Sequence, residues 1–164
     1  MAIFEIKKFN DSVLRSKCEE VKKVDKEIEK IINDMADTME RNRGIGLAAP
    51  QVGTKKRIIV VKTDFEKPDV FALVNPKIVK KSPETETREE GCLSFPGIFL
   101  KIKRAKEIVI EGLNIKDERV KIRASGFLAE VFQHETDHLD GVLFFDRLPF
   151  FQRIKFKFKL KSLK

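Results

Sequence analysis

The sequence predicts an α+β domain: an N-terminal helix, a run of mostly antiparallel strands, and a later helix around which the strands pack. Two observations predict this. Apolar residues recur at helical spacing near both ends of the chain, and the stretch between them is a series of short alternating segments separated by turn residues. A third, the length of 164 residues with 41% hydrophobic content and 14 Phe, is enough for one core without a disulfide framework.

The elements follow in order. Residues 11–20 (DSVLRSKCEE) read as a loop and turn. In residues 25–41 (DKEIEKIINDMADTMER), Ile28, Ile31, Ile32, Met35 and Met39 share one face, and Asp25 is the expected N-cap. A Gly-rich loop follows (GIGLAAPQVG, 44–53). RIIVV (57–61) and VFALVNP (70–76) read as strands ending in turn residues. Residues 78–97 carry a polar bend and then a shaped loop around Cys92. Residues 98–115 and 118–124 read as further strands, with Asn114–Asp117 as a hairpin turn. From Ser125 or Gly126 the pattern turns helical and runs to Gly141, which suits a C-terminal cap.

The net charge is +8, but residues 153–164 hold one Arg, five Lys and no acid; without them 28 basic residues face 26 acidic ones. The body is near neutral and the excess is a tail, 149–164, whose alternation permits a helix or a strand. No segment reaches the roughly 20 apolar residues of a membrane span, and the first ten residues lack the apolar run of a signal peptide. The expectation is a protein of a reducing compartment, with no membrane partner and with Cys18 and Cys92 as free thiols or metal ligands.

The two histidines of the chain both lie in QHETDHLDG (133–141). On a helix His134 and His138 stand one turn apart on one face and can hold a single ion. Glu135, next in the chain, reaches a metal-bound water without itself being a ligand. This is the H-E-x-x-H logic, in which the metal acidifies water and the Glu takes its proton. It makes this helix the metal-bearing centre of the fold. A catalytic site needs a third protein ligand. No Glu follows Glu135 and no third His exists, so the choices are Asp140, Asp146 and, upstream, Cys92 in EGCLSFPG. A thiolate suits Zn²⁺ or Fe²⁺, which favours Cys92; a buried small hydrophobe is the other fate of a lone cysteine. In the glycine loop, Gly44 and Gly46 permit close approach of an extended ligand to the backbone. Gln51 supplies an amide donor that suits an oxyanion.

GIGLAAPQ (44–51), EGCLS (90–94) and HETDH (134–138), in this order and spacing, resemble the peptide deformylases, and NDSVLR (10–15) resembles their amino-terminal segment. The likeness spans residues 1–148, read as the catalytic domain. It implies hydrolysis of the N-formyl group from the formyl-methionine of new bacterial or organellar proteins, in the cytoplasm or an organelle. By motif match, Cys92, His134 and His138 are metal ligands, with Fe²⁺ the usual ion and Zn²⁺, Ni²⁺ or Co²⁺ also accepted. Glu135 is general base and then acid; Gln51 and the backbone N–H of Leu93 are the oxyanion donors. Ile45, Phe127 and Val131 are the expected methionine pocket, and the peptide is expected to run between 44–46 and 95–97. Glu130 departs from an apolar pocket and is expected at its rim. Asp137 with Arg104 is expected to support the site. The basic tail is the expected contact to the ribosome. The rival reading from the residues is a small metallopeptidase of the H-E-x-x-H type.

Overall fold

The computed structural model describes residues 2–64 and 69–162. Helix α1 spans Lys26–Arg41, with the Asp25 carboxylate accepting from the backbone N–H of Glu27 and Ile28 as its cap. Its face Ile28, Ile32, Met35 and Met39 is buried, while Ile31 is half-buried. Strands β1 (Gly46–Ala48), β2 (Ile58–Asp64), β3 (Asp69–Lys81), β6 (Glu107–Leu113) and β7 (Arg119–Ser125) form one antiparallel sheet in the order β1-β2-β3-β6-β7. Strands β4 (Thr85–Cys92) and β5 (Phe95–Ala105) pair as a separate antiparallel ribbon. Helix α2 (Gly126–Leu139) follows β7 directly and packs against β1, β2, β5 and β7.

Three apolar clusters hold these layers together. One lies between α1 and β1–β3, around Met35, Leu47 and Val60. A second lies between the sheet and α2, around Ile59, Leu73, Ala129 and Phe132. The third joins the ribbon to the C-terminal part through Phe95, Phe144 and Phe145, and it takes in Phe156 and Leu160 of α3 (Phe150–Lys161). Stacked and tilted Phe pairs run through this third cluster: Phe9–Phe95, Phe95–Phe144 and Phe145–Phe156.

Two local readings change. Within 78–97 the polar bend is confined to residues 82–84 and the loop after Cys92 to a turn at 93–94: β3 continues to Lys81 and β4 runs to Cys92, with a register shift between Gly91 and Cys92. Alternation in TETREEGC is hidden by charge, because the less exposed positions are Glu86 and Arg88, which pair with each other, and the buried Glu90, which pairs with Arg104. The tail is a helix. Phe156 and Leu160 form its inner face, and Leu163 lies outside the described residues. The turn at Asn114–Asp117 forms, with Asp117 at φ 63°, and Gly141 follows α2 at φ 69°.

Candidate metal centre and its cavity

Helix α2 is anchored before it presents anything. The Gln133 side chain accepts from the backbone N–H of Ala105 (3.2 Å) and donates to the Ala105 carbonyl (3.0 Å), clamping the helix to the end of β5. One residue later the helix presents His134 and one turn on His138, both buried. Their Nε2 atoms lie 3.2 Å apart, and Cys92 Sγ lies 3.4 Å from His138 Nε2. The three ligand atoms fall within 4.8 Å of one another. Tetrahedral coordination at ordinary metal–sulfur and metal–nitrogen lengths separates its donors by roughly 3.3–3.7 Å, so the donor set fits one small divalent ion. Two imidazole nitrogens and a sulfur, all turned on one point, also have no better shared partner than a cation.

The surrounding charges fix this geometry. Glu90 Oε2 lies 2.9 Å from His134 Nδ1, which places the ring proton on Nδ1 and leaves Nε2 free to coordinate. Arg104 grips Glu90 with two hydrogen bonds of 2.6 and 2.9 Å and reaches Asp137 at 2.6 Å. Arg147 holds the other side of Asp137 at 2.5 and 3.0 Å. Burial pushes the Glu90 and Asp137 carboxyls up, but their hydrogen bonds to His134, Arg104 and Arg147 outweigh it and hold both below the ordinary range. The pairing of Asp137 with Arg104 was legible in the sequence. The role of Glu90 was not, although it stands in the EGCLS motif; its signal was a carboxylate two residues before the cysteine, in register opposite Leu100 on a strand that also carries Arg104.

Glu135 is buried and its Oε2 has no hydrogen-bond partner, while burial raises its carboxyl to about 7. Gln51 is buried as well; its Oε1 accepts from the Ala48 backbone N–H (2.9 Å), which turns Nε2 toward Ser94 Oγ (3.2 Å) and Cys92 Sγ (3.4 Å). A single cavity of about 620 Å³ brings together Gln51, Cys92, Leu93, His134 and Glu135. Gly44, Ile45, Gly46, Phe127 and Val131 also line it. His138 closes the donor set from behind this wall.

Three expectations shift in detail. Cys92 is the last residue of β4 and not part of an irregular loop. The glycines do more than admit a ligand. A Cβ on Gly46 would come within 2.9 Å of the Glu135 side-chain carbons, and one on Gly44 within 2.7 Å of Leu93 Cδ1. The loop is therefore bare because Glu135 and Leu93 already occupy that space. Glu130, expected at the rim, is 6% exposed and lies in the cavity wall.

Fold and site together define a class: an α+β protein with an open three-donor Cys-His-His centre and a buried, partnerless carboxylate beside it. The profile of the polypeptide deformylase family matches residues 3–153. The chain is 42% identical to the peptide deformylase of Thermodesulfovibrio yellowstonii over 166 residues, covering all of both chains. It superposes on the crystal structure of the Thermotoga maritima peptide deformylase with a TM-score of 0.87, at 44% identity, covering 91% of this chain and 99% of that one. For the Ehrlichia chaffeensis peptide deformylase in complex with actinonin the TM-score is 0.90, at 40% identity, covering 100% and 99%. The chain belongs to the polypeptide deformylase family.

Proposed function

We propose that the protein removes the N-formyl group from the N-terminal formyl-methionine of new polypeptides, releasing formate. The observation that carries this reading is the partnerless Glu135 carboxylate beside the Cys92–His134–His138 donor set, in the cavity that also holds the Gln51 amide. Cys92, His134 and His138 would hold one divalent ion, Fe²⁺ by family likeness with Zn²⁺, Ni²⁺ or Co²⁺ as substitutes. Once bound, the ion supplies Lewis acidity that polarises the formyl carbonyl and acidifies the attacking water. Glu135 takes the proton of that water at its free Oε2, and its raised affinity for protons suits the task. The water oxygen adds to the formyl carbon, and Gln51 Nε2 and the Leu93 N–H donate to the carbonyl oxygen as it gains charge. Glu135 then gives the proton to the departing amine, the C–N bond breaks, and formate leaves. Ile45, Phe127 and Val131 receive the methionine side chain, and the peptide runs between 44–46 and 95–97.

Formate release from formyl-Met-Ala by protein loaded anaerobically with Fe²⁺ tests the reading. The expected result is release from the formyl peptide and no cleavage of casein. The reverse would restore the metallopeptidase reading, which family membership does not favour.

The catalytic body is assigned to residues 1–148 and the basic tail to 149–164, in the cytoplasm or an organelle; no helix among the described residues is long and apolar enough to cross a membrane. The tail's Lys and Arg are the proposed contact to ribosomal RNA. Co-sedimentation with ribosomes should fall steeply with salt and should weaken for a chain ending at Pro149; equal, salt-insensitive binding would remove this partner.

A further inference from the structure

The cavity wall contains a buried carboxyl group that the proposed reaction does not use. Glu130 lies one helical turn before His134 on the cavity face of α2, between Phe127 and the metal donors. Its side chain is 8% exposed. A carboxylate this enclosed is normally held by hydrogen bonds, as Glu90 is. Among the described residues none donates a hydrogen bond to Glu130. Its ion pair with Arg88 is loose, with Nε 3.8 Å from Oε2, and Arg88 directs its hydrogen bond to Glu86 at 2.9 Å instead. Arg88 Nε is itself buried and makes no hydrogen bond. Two further carboxylates, Glu89 and Glu90, line the same cavity, and Glu90 is already bound to Arg104 and His134. The pocket that would receive the first side chain thus has apolar walls and a carboxyl whose one cationic neighbour, Arg88, stays 3.8 Å away.

The distance of that carboxyl from the centre selects a length. Four helical residues separate Glu130 from His134, about 6 Å along the axis, which is also roughly the reach of lysine's four-carbon stem. We infer that Glu130 gives the pocket a second selectivity, so that besides methionine it takes N-formyl peptides whose first side chain is unbranched and ends in a cation, as lysine's does. The stem would lie against Phe127 and Val131, and the ammonium would supply the hydrogen bonds that Glu130 lacks. This inference rests on the deformylase reading for its substrate.

The test compares formyl-Lys-Ala-Ser with its uncharged straight-chain counterpart, formyl-norleucine-Ala-Ser, in the metal-loaded protein and in Glu130→Gln. A charge-assisted hydrogen bond is expected to set the lysine-to-norleucine ratio of kcat/KM about 10–100-fold higher in the parent than in the variant, mainly through KM. A ratio of two substrates cancels any loss of folded or metal-loaded protein. Glu130→Asp, which keeps the charge, should retain part of the preference. Calorimetric binding of Lys-Ala-Ser and norleucine-Ala-Ser to the protein without metal should show the same change in ratio. An unchanged ratio in Glu130→Gln overturns the inference, as does a parent that hydrolyses formyl-Met-Ala-Ser but not formyl-Lys-Ala-Ser. A parent that hydrolyses no formyl peptide removes the deformylase reading instead, and the calorimetric ratio then still decides the role of Glu130.

Discussion

Helices α2 and α3 are opposites. In α2 the buried set includes Glu130, Gln133, His134, Glu135, Thr136 and His138. In α3 the exposed set includes Phe150 at 59%, Phe151 at 83% and Phe158 at 68%, and only Phe156 and Leu160 are buried. Partition between water and core would reverse both arrangements. In α2, Ala105 holds Gln133, Glu90 holds His134, and a cation site would hold His134 and His138, while Glu135 Oε2 and Thr136 Oγ1 stay buried without a hydrogen-bond partner. α3 leaves rings largely in water, with only Arg153 over Phe150, Lys161 over Phe158 and Phe151 against Phe150 beside them among the described residues. The first arrangement marks chemistry done inside the molecule; the second marks a helix whose inner edge alone belongs to the core.

The largest expected effect probes Glu135, whose Oε2 is buried in α2 without a hydrogen-bond partner. Glu135→Gln should lower kcat by roughly 10²–10⁴-fold with metal content unchanged. Elemental analysis alongside formate release checks this, and a variant that loses its metal, or keeps its rate, would place Glu135 among the ligands or among bystanders. Next, Cys92→Ala should weaken metal affinity by more than about 100-fold, beyond the 10–100-fold typical of an outer partner. Cys18→Ala should leave affinity unchanged: Cys18 is buried near Arg57 and its thiol is pushed up to about 11 by that burial, which keeps it protonated. Equal affinity in the two variants would break the contrast between an inert and a coordinating cysteine.

The contrast within α3 is smaller. Phe156→Ala should cost about 3 kcal/mol in urea unfolding, and Phe158→Ser should stay within about 0.5 kcal/mol. Similar losses for both would mean that the outer rings are covered after all. The smallest effect concerns a buried carboxylate that is fully served. Asp34 accepts from Lys30 (2.6 Å) and from the Ala2 backbone N–H (2.9 Å), and these hydrogen bonds hold it below the usual carboxylate range. Its folded affinity for protons is thus lower than its unfolded one, so it stabilises the fold above the ordinary range near pH 4 and ceases to as pH falls through the folded value. Asp34→Asn should lower Tm by about 2 °C at pH 7, and melting curves should show this deficit shrinking in acid.

Legibility in the sequence followed the periodicity. The apolar face of α1 and its Asp25 cap, the hairpin at Asn114–Asp117 and the span of α2 could be read because one side of each is plainly apolar or plainly turn-forming. Strand β4 could not, since Glu86, Arg88 and Glu90 on its less exposed side are charged, and the partners of Glu90 come from elsewhere in the chain. The same limit applied to the site. His134, Glu135 and His138 are adjacent by helix geometry, and the cavity does gather the residues singled out in the glycine loop and around Cys92. Glu90 as the partner of His134, Gln133 as a clamp and Glu130 as a wall residue depend on how β4 and β5 meet α2, which no local pattern encodes.

The end of α2 is tied to the beginning of the chain. The Cys18 N–H donates to the Leu139 carbonyl at 2.9 Å, and Arg15 donates to the Gly141 carbonyl at 3.2 Å and pairs with Asp146. A Cβ at Gly141 would strike the Arg15 backbone at 2.6 Å. Residues made first therefore wait for residues made more than a hundred positions later. During synthesis the N-terminal segment cannot settle until α2 has left the exit tunnel, so the domain must fold late and as a unit. A truncated chain stopping before Leu139 would present an unfinished N-terminus to proteases.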